Sequence, residues 1–145
     1  MPTQADPLEV LKRLSSSYEA LAAGFKAFHA GVARLSDDAA SPIKQNTVVS
    51  NLQADSFHVE FCGRAYQFEF RVAVDDLGPL ATVTCRELDG HASDSFIFRP
   101  SGWADVEKPA GHSSPIAVND PAGAIYLSTR CLMRCLAVPA GSHLS

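Results

Sequence analysis

Cysteines four residues apart, Cys131 and Cys135 in "RCLMRC", are the first residues in this chain that could do chemistry. Paired thiolates bind zinc or run disulfide exchange. Those sites usually use a C-x2-C spacing, whereas this is C-x3-C with no histidine or further cysteine close behind. On a helix the spacing puts both sulfurs on one face, in a stripe with Ile125, Ser128, Leu132 and Leu136. Small buried hydrophobes fit that stripe. Packing is therefore the favoured reading, and a cysteine-based redox or zinc protein is an alternative, with Cys62 and Cys85 as its only reserve ligands.

Arg130 and Arg134 form an i, i+4 pair on the other side of the same segment. Two guanidinium forks can hold a carboxylate or phosphate. They also sit late in a helix, where the dipole favours cations, and the acidic middle of the chain offers salt-bridge partners. The second role is favoured. His58, Glu60 and Glu69 resemble an acid/base or metal set, but cross-strand polar pairing on a solvated face explains them more simply. His112 in "AGHSSP" lacks the G-x-S-x-G pattern of a nucleophile elbow and reads as a turn. Trp103, in "RPSGWAD" four residues after Arg99, is expected either to anchor a partner or to cap the open end of the core. The chain contains no G-x-G-x-x-G, P-loop or H-E-x-x-H pattern. No catalytic residue, metal or cofactor is therefore assigned.

Two helices and a run of strands must position these residues. Asp6 as N-cap and Pro7 behind it open a helix over 6–35. Leu11, Leu14, Tyr18, Leu21, Phe25, Phe28, Val32 and Leu35 recur in alternating steps of three and four, which is a heptad seam. A helix that long should overhang a small sheet, so Leu14, Tyr18, Leu21, Phe25, Phe28 and Val32 are expected to serve packing and a symmetric dimer. Residues 46–99 then alternate apolar and polar, as about five antiparallel strands do. In "FHVEFCGRAYQFEF" a Gly63-Arg64 type II′ turn would set Phe61 opposite Tyr66, Val59 opposite Phe68 and Phe57 opposite Phe70. On the other face it would set His58 opposite Glu69 and Glu60 opposite Gln67. Residues 100–119 read as a long loop with a short strand near 116–118. Asp120-Pro121 open a closing helix over 121–138.

With 145 residues, 46% hydrophobic and 19% charged, the chain can bury a core as one domain, 1–145, and its surface is lightly charged. A net charge of −4 without a basic run speaks against nucleic-acid binding. Every apolar run is broken by charge before a membrane span's length of about 18 residues. The start lacks a basic-then-apolar leader, so a cytoplasmic protein with reduced cysteines is expected. The fold expected is α+β: a long N-terminal helix, an antiparallel β-meander and a C-terminal helix packed on one sheet face. The function expected is a non-enzymatic protein-binding module, an adaptor, chaperone-like, immunity or inhibitor protein, that works as a homodimer and masks a partner protein. Trp103, Arg99, His112, Arg130 and Arg134 are its candidate contacts. The main alternative is a small enzyme or ligand-binding domain with a pocket between sheet and helices.

Overall fold

Asp6 accepts the Leu8 N–H at 3.2 Å and starts α1 (Pro7–Asp37), two residues longer at its C-terminal end than the periodicity indicates. The computed structural model describes residues 6–107 and 115–138, so His112 lies outside the described residues. After one 3₁₀ turn the chain forms β1 (Thr47–Val49), β2 (Ser56–Phe61), β3 (Arg64–Asp75), β4 (Gly78–Glu87) and β5 (Ser93–Phe98), and ends in α2 (Pro121–Leu136). The strands lie in sequence order and every neighbouring pair is antiparallel, an uninterrupted meander. Both helices cover the same face, α1 touching β1, β3 and β4 while α2 touches β4 and β5. Asp120 occupies the α2 N-cap but makes no side-chain capping bond, unlike Asp6.

Alternation along the strands selects what lies under the helices. Phe57 and Val59 of β2, Tyr66, Phe68 and Phe70 of β3, Ala81, Val83 and Cys85 of β4, and Phe96 and Phe98 of β5 all point to the covered face and are buried. Leu21, Phe25, Phe28 and Val32 of α1 close over them. Phe25 stacks on Phe70 at 5.2 Å between ring centroids, and Phe28 meets Phe96 edge-on at 5.5 Å. Glycine permits this approach: a Cβ on Gly24 would come within 2.8 Å of the Phe98 ring, and one on Gly31 within 2.5 Å of the Ala124 Cβ in α2. The seam from Leu21 onward thus belongs to the chain's own core.

The first half of α1 behaves differently. β3 has 12 residues and β4 has 10, so the sheet reaches further under α1 than ordinary strand lengths imply. Even so, no residue of α1 before Leu21 is fully buried. Leu14 and Val72 still pack against the core, whereas Leu11 and Val74 are exposed. The first turns of α1 therefore lie out of close packing, with Leu8 and Leu11 exposed, while Tyr18 still meets Phe70 at 6.3 Å between ring centroids.

The β2–β3 hairpin corrects the expected register. Its two-residue turn is Cys62-Gly63, with φ of 51° and 81°, which is type I′ rather than II′. Val59 therefore faces Tyr66, Phe57 faces Phe68, His58 faces Gln67 and Glu60 faces Ala65. The shift is an even number of residues, so every side chain keeps its face and the core is unchanged. The type I′ turn matches the strand twist even though it places a cysteine in the left-handed region, where L-residues are strained. Cys62→Asn, which supplies a residue that tolerates this conformation, is expected to raise unfolding free energy by about 1 kcal/mol in urea titration.

Candidate functional site

The segment expected as a loop after β5 is partly built into the sheet. Arg99 N–H donates to Trp103 O at 3.0 Å, Asp105 N–H to Ile97 O at 2.8 Å, and Ala104 pairs with Phe98. On its far side Trp103 pairs with Ala117, while Ala104 N–H donates to Ile116 O and Val118 N–H to Gly102 O, each at 2.8 Å. Gly102 makes the turn possible, with φ of +95° and the Asn119 side chain where a Cβ would sit. Ala104 faces the core opposite Phe98, so its neighbour Trp103 projects from the uncovered face, 57% exposed. Trp103 is not part of the buried core.

Beside it Arg99 is held rigidly. Its two terminal nitrogens donate to the two carboxylate oxygens of Asp75 at 2.8 and 2.6 Å, a bidentate fork. Asp75 also accepts the Leu77 N–H at 2.9 Å, so one carboxylate closes the β3–β4 turn and anchors Arg99. These bonds, the Arg99 guanidinium first, hold the Asp75 carboxyl at about 2, below its ordinary 3.8. The pairing joins residues 24 apart, and no local spacing marks it. Only the alternation that puts Asp75 and Arg99 on the outer face offered a signal.

Arg130 and Arg134 do not join Trp103 and Arg99. They lie on α2, in the layer on the other side of the sheet, and line a shallow groove of ≈ 500 Å³ with Glu107, Tyr126, Thr129 and Met133. Tyr126 Oη donates to Glu107 O at 3.3 Å across its rim. Arg134 reaches Asp94 at 3.5 Å, the salt bridge to the sheet that its place in the helix suggested. His58 stands on the outer face opposite Gln67, and Glu69 is paired with Arg71 at 2.6 Å, so these residues form no convergent set with Glu60.

Cys131 and Cys135 do share a buried face of α2, and Cys135 Sγ lies 3.9 Å from Cys85 O in β4. Burial pushes the Cys85, Cys131 and Cys135 thiols up, followed by the neighbouring cysteines at Cys85 and by the Asp94 carboxylate at Cys131. They are protonated packing groups in this setting. No group of three His, Cys, Asp or Glu among the described residues is arranged to hold a metal ion. Asp94 was not singled out from sequence, yet alternation with Phe96 and Phe98 places it on the covered face. There Asp94 Oδ2 and Tyr66 Oη are buried and have no hydrogen-bond partner among the described residues. No described helix is long and apolar enough to cross a membrane.

No protein family, curated protein or solved structure matches this chain. Its chemistry is thus readable only from its own residues.

Two outcomes follow from the side-chain environments. A carboxyl whose folded pKa is depressed stabilises the fold above its unfolded value and loses that contribution as pH falls through the folded one. The gap in unfolding free energy between wild type and Asp75→Asn should hold steady near neutral pH and close as pH falls from about 4 to about 2, read by urea titration across pH. Iodoacetamide on the native chain should alkylate Cys62, the exposed thiol, and leave Cys85, Cys131 and Cys135 until the protein is unfolded, as mass spectrometry would show.

Proposed function

We propose that this chain is a non-enzymatic protein-binding module that works in the cytoplasm by covering, and so masking, part of a partner protein, in the manner of an adaptor, chaperone-like, immunity or inhibitor protein. The supporting observation is Trp103. Its backbone is tied on both sides, to Arg99 and to Ala117, while its side chain stands 57% exposed on the uncovered sheet face. Tryptophan and arginine dominate the binding energy of protein interfaces. A Trp whose backbone is already ordered, beside an Arg locked to Asp75, loses little further entropy on association. The face around it carries further polar groups fixed in pairs, Arg86 to Gln67 at 2.7 Å and Arg71 to Glu69, as suits a hydrated rim.

A second reading, a ligand-binding domain or small enzyme, has the α2 groove in its favour. Arg130 on its wall, beside the ring of Tyr126, suits an anionic ligand.

The test is affinity capture with the tagged chain from its native cell extract, run beside Trp103→Ala. A stoichiometric protein is expected with wild type, and its retention should drop at least about tenfold with the variant. The side chain is largely exposed, so the variant's melting temperature should stay within a few degrees of wild type. Recovery of the chain alone, or of a partner held equally by both, would overturn the reading. Thermal stabilisation of the lone chain by carboxylate or phosphate ligands would favour the groove instead.

A further inference from the structure

On the exposed half of α1 the seam residues Leu11 and Tyr18 continue sideways into an apolar row with Leu8, Ser15 and Ala22. Leu8, Leu11, Ser15, Tyr18 and Ala22 are spaced by steps of three and four; Leu8, Leu11 and Tyr18 are 64%, 59% and 48% exposed, while Tyr18 keeps one ring contact to Phe70 at 6.3 Å and Ala22 is half-buried beside the core. Lys12 and Glu19 flank this row one heptad apart, both exposed to solvent. On a helix these five row positions form one stripe, and the Lys and Glu occupy the same edge of it. A cleft of ≈ 470 Å³ lined by Tyr18, Asp55, Phe70, Arg71 and Val72 adjoins the stripe.

We propose that this stripe is the docking surface for a second copy of the chain, with the two α1 helices antiparallel about a twofold axis midway between Ser15 and Tyr18. The residues fit themselves in that register. Tyr18 falls opposite Ser15 of the partner subunit and Leu11 opposite Ala22 of the partner subunit, a large side chain on a small one in each of these layers, while Leu8 lies beyond them, level with the buried position 25. The same register brings Lys12 beside Glu19 of the partner subunit, and the twofold axis repeats the pair. Antiparallel coils bring like edges together, which is why the shared edge of Lys12 and Glu19 matters.

Competing alignments lose this match. Sliding the helices by one heptad puts Leu8 against Tyr18 in one layer and sets Lys12 against its own copy, a repulsive contact. A parallel pair stacks Leu11 on Leu11 and Tyr18 on Tyr18, leaves gaps at Ser15 and Ala22, and gives Lys12 and Glu19 no opposite charge. Leu21, Phe25, Phe28 and Val32 cannot contribute, because the chain's own sheet already covers them. This association concerns copies of the chain itself and stands independently of whatever protein Trp103 meets.

Sedimentation equilibrium on the full chain tests it. A reversible species of twice the 15.5 kDa chain mass is expected. Leu11→Glu should raise its dissociation constant at least about tenfold, because the new charge would be buried without a partner. Glu19→Lys and Lys12→Glu should each weaken the dimer, and the double swap Lys12→Glu/Glu19→Lys should return it to within about threefold of wild type. These positions are exposed, so circular dichroism should stay unchanged. Should Leu11→Glu disturb the helix, the charge-swap series carries the test by itself. A monomer up to sub-millimolar concentration, or a dimer indifferent to Leu11→Glu, would overturn the docking surface. Charge swaps without rescue would overturn the antiparallel register.

Discussion

The contact on which the rest of the molecule depends is the seating of the second half of α1 on a sheet face of phenylalanines. Phe25 and Phe28 touch rings from β2, β3 and β5, so one helical segment holds strands that are distant in the meander. Losing either ring would leave a cavity of the sort that costs about 3–5 kcal/mol. The contact needs Gly24 and Gly31, where any side chain would lift the helix from Phe98 or from α2. Close approach there also fixes where α2 lies, and hence which side of Cys131 and Cys135 is buried.

That one seating sorts the rest of the surface. The face beneath the helices is closed by aromatic packing. Toward its β4–β5 end it admits charge only in partnership, with Arg64 bound to Glu87 and Asp94 beside Arg134. The opposite face carries polar pairs, Trp103, the exposed Val48 and the buried Leu80. The first half of α1 keeps apolar residues, Leu8 and Leu11 above all, that the chain itself does not cover.

Period and punctuation made the architecture legible. Steps of three and four marked α1, alternation marked the strands, and the Asp-Pro pairs marked both helix starts. Turn geometry was less legible, because Cys62 was not expected in a left-handed turn and glycine in the first turn position was the easier reading. The face of each residue survived because the slip was even. Non-local pairing was legible only as far as face and strand: Asp75 with Arg99 and Trp103 with Ala117 join segments whose approach only the assembled sheet decides. The cysteines were legible as packing because their helical face could be counted, and Asp94 was passed over although the same counting places it inward.

Asp75 ends β3, closes the turn into β4 and grips Arg99, whose backbone in turn carries Trp103. The tip of the longest hairpin and the exposed indole therefore share one mechanical joint. A chain of hydrogen bonds runs from the Trp103 carbonyl through Arg99 and the Asp75 carboxylate into the β3–β4 turn, without passing through the core. The backbone that presents the indole is thus bonded to a turn two strands away from it.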